Sequence, residues 1–185
     1  MFVAMPRDPV VYDPSVQHIV IVGLMGSGKT TVGAAVAARL HRPHLDSDAD
    51  LLAETGLTAR AIANRDGVDA LHRVEAAHLL GALRRRDPIV LSAAASTLEH
   101  PECLAALRAP DVLVVWLRAA PAVLASRLRS DDHRPDLGLD IERLIERQAD
   151  RREPAAAAVA DLELDAGRPP GDLVADVLAA AATVG

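Results

Sequence analysis

The stretch HIVIVGLMGSGKTT, His18 to Thr31, constrains this chain more than any other. An apolar run rich in β-branched residues (Ile19, Val20, Ile21, Val22) stops at Gly23. Gly26, Ser27, Gly28, Lys29, Thr30 and Thr31 follow before Val and Ala resume at helical spacing. This order predicts a strand, a glycine loop and the start of a helix. The spacing Gly23-x4-Gly28-Lys29-Thr30 is the Walker A pattern. Glycine lets a backbone turn tightly and approach an anion, since a Cβ would obstruct both. Successive N–H groups then converge on one concavity, to which the helix beginning near Lys29 adds its positive end. Lys29 is placed to reach the β- and γ-phosphates of a nucleotide, and the Thr30 hydroxyl to ligate Mg²⁺. The competing reading is a glycine-rich turn carrying a surface lysine, and spacing and context both speak against it.

Composition narrows the remaining classes. At 185 residues, half of them hydrophobic, the chain suits one domain with a substantial core, built from Ala, Leu and Val because aromatics are only 2%. A formal charge of −6 argues against a general nucleic-acid surface, and the shortage of aromatics against base stacking. Cys103 is the only cysteine, so no intrachain disulfide forms and a cytoplasmic setting is expected. Pro6, Pro9 and Pro14 interrupt the amino end, which lacks the apolar run of a secretory signal. No segment approaches the roughly 18 apolar residues of a spanning helix. The expected protein is a cytoplasmic monomer with small-molecule partners, using neither nucleic acid nor membrane.

Taken in order, residues 1–16 read as an irregular arm, followed by a strand at 17–22 and an Ala-rich helix at 29–40. A brief strand at 43–45 ends in Asp46-Ser47-Asp48, and short helices follow at 49–54, closed by Gly56, and at 58–64. Apolar positions Leu71, Val74, Leu79, Leu80 and Leu83 predict a long amphipathic helix over 70–86. A strand at 89–91, a helix at 101–108 and an unalternating apolar strand at 111–117 come next, the last of a kind covered on both faces. Helices at 121–128 and 139–152 flank a polar, broken stretch, and a strand at 162–164 precedes a final helix at 172–182. Strands alternating with helices predict a doubly wound, parallel α/β sheet in one domain spanning 17–185.

These segments together resemble the shikimate kinases, a branch of the P-loop kinases related to the nucleoside-monophosphate kinases. The resemblance runs from about Ile19 to the carboxyl end. It rests on GLMGSGKTTVG, LDSD, ETGLTARAIANRDG, the Arg73–Glu75 neighbourhood, HRPDLG and REPAAAAVADLELD, all in register. It implies a five-stranded parallel sheet in the order 2-3-1-4-5 flanked by helices, a mobile lid over about 127–138, and transfer of the γ-phosphoryl of ATP, with Mg²⁺, to a hydroxyl of shikimate. Carried over by position, Asp46 helps hold Mg²⁺ through water. Asp48 accepts hydrogen bonds from the acceptor hydroxyls, where a base for the attacking oxygen belongs. Both aspartates are equally suited to capping a helix. Arg134 matches the arginine set against the acceptor carboxylate, which a guanidinium grips bidentately. Arg127 matches the lid arginine near the transferred phosphoryl, with Arg129 close by.

Two departures fall in the acceptor half. His72 stands where the family has an arginine that also grips the carboxylate, and near its reference pKa it is only roughly a quarter charged at pH 7. Losing one charge-assisted bond costs about 1.5–3 kcal/mol. Arg73 is adjacent but points about 100° away on a helix. Ala94, Ala95 and Ser96 replace a glycine triplet, adding methyls where contact is closest and disfavouring positive φ. Near the carboxyl end Pro154-Ala155-Ala156 replaces a Pro-Leu-Tyr. Three readings stay open: a shikimate kinase, a relative acting on another hydroxylated acceptor such as a cyclitol or sugar acid, and a nucleotide-binding module of weak activity.

Overall fold

A computed structural model describes residues 18–129 and 141–183. The arm at 1–16, the lid beyond Arg129 and Arg134 lie outside the described residues. The sheet has five parallel strands: β1 (His18–Val22), β2 (His44–Asp46), β3 (Ile89–Ser92), β4 (Val112–Arg118) and β5 (Leu162–Asp165). They stand in the order β2-β3-β1-β4-β5, as expected. The central strand pairs on both edges, His18 opposite Ile89 on one side and Val112 on the other. With both edges bonded and both faces covered, such a strand reads as a continuous apolar run.

Alternation along the strands divides the core. Ile19 and Ile21 face a layer with Val32 and Val36 of α1 (Lys29–Leu40) and Leu173 and Val177 of the last helix, while Val20 and Val22 face Leu79, Leu98, Leu107 and Trp116. The helices between are α2 (Ser47–Thr55), α3 (Ala59–Asp66), α4 (Val68–Ala82), α5 (Pro101–Leu107), α6 (Pro121–Arg129), α7 (Ile141–Val159) and α8 (Pro170–Thr183), with a 3-10 turn at Ala95–Glu99. Because α1 returns the chain to one side of β1 and later crossovers carry it to the other, a crevice opens at the carboxyl ends of β1 and β3.

Three boundaries differ instructively from the sequence expectation. Helix α2 starts at Ser47, two residues early, because the Asp46 carboxylate accepts from the N–H groups of Asp48 and Ala49. Helix α4 stops at Ala82, where Leu83 N–H bonds back to the Leu79 carbonyl, short of the predicted end at 86. Helix α7 continues seven residues beyond Arg152, through Pro154 to Val159. A proline inside a helix costs about 3 kcal/mol. Here Ala156 and Val159 bury against the second core layer, and the alanines around them favour helix, which outweighs the loss.

Candidate active site

The carboxyl end of β1 delivers the phosphate loop. Gly28 adopts φ 90° at the amino cap of α1, a left-handed conformation suited to glycine. At Gly23 a Cβ would lie 2.5 Å from the Leu117 carbonyl oxygen, so β4 presses directly on the loop. The first N–H groups of α1, at Lys29, Thr30 and Thr31, precede the bond from Val32 N–H to the Gly28 carbonyl and belong to the end that favours anions. Lys29 Nζ donates to the Leu24 carbonyl at 3.2 Å across the loop, and Ser27, with its Oγ buried, completes the turn by donating its N–H to the same carbonyl.

Two strands away, β2 ends on Asp46. Thr30 Oγ1 donates to Asp46 Oδ2 at 2.7 Å, so the hydroxyl and the carboxylate proposed for the metal meet although they are sixteen residues apart in sequence. Asp46 uses Oδ1 to cap α2 and Oδ2 toward Thr30, which reconciles its capping and ligand readings. These hard oxygens suit Mg²⁺, which commonly takes one or two protein oxygens and completes its shell with phosphate and water.

Helix α2 packs on α4, and α4 and α7 pack on the turn after β3, bringing together residues expected at the acceptor. Asp48 is exposed in the first turn of α2, and its charge helps raise the carboxyl of buried Glu75. Burial is the larger cause of that raised value, opposed by a short hydrogen bond donated by Ser96 Oγ to Glu75 Oε2. His72 lies one turn before Glu75 on the same face of α4, while Arg73 is exposed. Burial and then the neighbouring Arg152 charge push His72 below its ordinary value, so it is neutral near pH 7. Among the described residues, positive φ outside glycine occurs only at His41. Ala94 is extended and its N–H donates to Ser47 Oγ at 3.1 Å. The alanines that replace glycines therefore carry no backbone strain, and their effect is confined to their methyl groups.

Sequence reasoning overlooked Arg152. It is buried on α7 beside His72 and Glu75, and its Nε donates to Glu99 Oε1 at 2.5 Å. Burial works against a charged Glu99, but the hydrogen bond and charge of Arg152 prevail and hold its carboxyl below the usual range. The available signal was the Arg151-Arg152 pair one helical turn after an apolar position, which reads equally well as a solvated face. Arg127, expected in the lid, sits instead on the last turn of α6. Its guanidinium donates to the carbonyls of Gly26, at 3.3 Å, and Ala166, at 2.7 Å, clasping the phosphate loop to the segment after β5.

This arrangement has relatives. The sequence profile of the shikimate kinase family matches residues 25–182. The chain belongs to the shikimate kinase family. A shikimate kinase of Burkholderia pseudomallei is 39% identical over 158 residues, covering 85% of this chain and 84% of that one. The enzyme of Cupriavidus pinatubonensis is 38% identical over 82% of this chain and 79% of its own. Among solved structures, the shikimate kinase of Acinetobacter baumannii in complex with shikimate superposes with a TM-score of 0.81 at 27% identity, over 89% of this chain and 95% of that one. A gluconokinase of Sinorhizobium meliloti shares the fold, with a TM-score of 0.62 at 24% identity over 90% and 92% of the two chains. Like its family, the chain is an ATP-dependent phosphotransferase with an alcohol group as acceptor.

Proposed function

We propose that this enzyme transfers the γ-phosphoryl group of Mg·ATP to a hydroxyl of shikimate, giving shikimate 3-phosphate. The observation that carries the reading is the match to the shikimate kinase family over residues 25–182, and the Thr30–Asp46 pair at the start of α1 supports it. Phosphoryl transfer asks mainly for positioning and for neutralising charge. The N–H groups from Gly26 to Thr31 cradle the phosphates, and Lys29 spreads its charge over the β- and γ-groups. Thr30 and Asp46 are the residues that would hold Mg²⁺. When bound, that ion would supply positive charge against the phosphates. Asp48 accepts the proton of the attacking hydroxyl and aligns it.

Arg152 anchors the acceptor carboxylate. With Nε engaged by Glu99, its terminal nitrogens are the edge suited to a bidentate grip. Neutral His72 adds a hydrogen bond there and no charge. Arg134 is assigned to the same anion from the resemblance, and Arg127 to shaping the nucleotide end of the loop. Among the described residues no helix is long and apolar enough to cross a membrane. Cys103 is buried, and burial pushes its thiol up to about 11, so it is an unreactive core residue.

A second acceptor, an uncharged cyclitol, is favoured by one observation: Glu99 already partly neutralises Arg152, and His72 brings no compensating charge. A coupled ADP-release assay with shikimate against a panel of polyols and sugar acids separates the two. Turnover with shikimate at the highest kcat/KM is expected, and turnover with another compound alone overturns the assignment. Lys29→Ala is expected to abolish transfer to any acceptor and to remove the rise in melting temperature that ADP and Mg²⁺ give the parent. Unchanged turnover would refute the phosphate-loop role.

A further inference from the structure

A directed chain of hydrogen bonds runs behind the acceptor floor, through residues to which the reaction gives no part. It starts on α4 at His78, whose side chain is 11% exposed. His78 Nε2 lies 2.8 Å from Asp50 Oδ2, and the same oxygen accepts the main-chain N–H of Asp46 at 3.2 Å. A carboxylate only accepts, so His78 carries hydrogen on Nε2. Its Nδ1 then faces Ser47 Oγ, a longer contact of 3.4 Å, and in the neutral ring it takes the Ser47 hydroxyl hydrogen. Ser47 Oγ in turn accepts the N–H of Ala94 at 3.1 Å. Each donor in the series meets one acceptor: Ala94 N–H to Ser47, Ser47 O–H to His78, His78 N–H to Asp50, and Asp46 N–H to Asp50.

The two ends of this chain are the two halves of the site. Asp46 faces Thr30 at the metal end, and Ala94 opens the segment that replaces the glycine triplet at the acceptor floor. Ser47 is only 3% exposed, between Asp46, which caps α2, and Asp48 in its first turn. Its hydroxyl contacts therefore tie the start of α2 to His78 and Ala94.

We propose that His78 and Asp50 are positioning residues that set the place of Asp46 for Mg·nucleotide and of Ser47 and Ala94 for the acceptor, coupling the two halves of the site. The proposal rests on the assignment of Asp46 and Ala94 made above. Neither His78 nor Asp50 touches the reacting atoms. They act on groups that do, as outer partners of metal ligands commonly act.

The test uses the full chain with His78→Leu, which removes both bonds at similar bulk, Ser47→Ala, the double variant, and His78→Gln, whose amide can still donate to Asp50. Calorimetry measures ADP affinity with and without Mg²⁺, and steady-state assays at saturating Mg²⁺ give the shikimate KM and kcat separately. For His78→Leu, ADP affinity without Mg²⁺ should match the parent, while the gain conferred by Mg²⁺ falls about tenfold and the shikimate KM rises by a similar factor. The double variant should raise KM no further than His78→Leu alone, because both changes interrupt one path. His78→Gln should recover the Mg²⁺ gain and leave the KM defect.

A folded His78→Leu protein with parental Mg²⁺ gain and parental KM overturns the proposal, whatever its melting temperature, as does a loss confined to kcat. If His78→Leu does not fold, His78→Gln and Ser47→Ala carry the same comparison. A parent that ignores shikimate defeats the substrate assignment instead, and the Mg²⁺-dependent ADP affinities still decide the positioning role.

Discussion

Arg152 shows how much a single buried charge decides in this molecule. Taking a guanidinium out of water is costly unless it is paired, and Glu99, with a side chain 27% exposed, supplies the partner. An acceptor carboxylate must then bind beside an ion pair rather than a lone cation. Arg152→Met should raise the shikimate KM by about 10- to 150-fold, the equivalent of one charge-assisted bond of about 1.5–3 kcal/mol, with the KM for ATP unchanged. A KM within twofold of the parent, measured in the coupled assay, would place the carboxylate elsewhere. His72→Arg restores a fixed charge beside it and should lower the shikimate KM several-fold. No change in KM would show that this position does not face the acceptor.

Between elements, α1 is held closely against β2 and β3. Ser92 Oγ donates to the Lys29 carbonyl and lies 2.9 Å from His44 Nε2, tying the start of α1 to both strands. Gly33 makes room for this contact, since a Cβ there would stand 2.5 Å from Ser92 Oγ and 2.7 Å from His44 Nε2. Gly33→Ala should therefore destabilise the fold by about 1–3 kcal/mol through overpacking, despite alanine's better helix propensity. Chemical denaturation reads this directly, and a stabilised variant would mean that the ring and hydroxyl yield freely. The sequence shows Gly33 as the last residue of GLMGSGKTTVG, within a helical period, with no contact assigned to it. Nothing in its neighbours announces that residues 44 and 92 converge on it.

For the whole molecule, acid sensitivity follows from three histidines, His18, His44 and His72, each held below its ordinary value chiefly by burial. The unfolded chain binds protons at these sites more readily than the native one, so their contribution to stability is full above about pH 6.5 and is lost as pH falls through the lower native values. Glu75, raised by burial, acts in the opposite sense: the native state holds its proton more tightly, so its contribution fades as pH rises through the carboxylate range. Melting temperature should be level from pH 8 to 7 and decline on acidification below about 6.5. A flat profile down to pH 5 would show that the three rings titrate as in the unfolded chain. The first strand and the phosphate loop were legible from residues 17–22 and the glycine spacing, because local apolar period and backbone freedom are written in consecutive residues, while the strand order came only from the family resemblance. The meeting of Thr30 with Asp46, the passage of α7 through Pro154, the burial of Arg152 beside Glu99 and the tie from His78 to Ala94 were not. Each depends on which distant side chains the sheet brings within 3.5 Å and which it shields from water, and only the folded chain sets that distance and that dielectric.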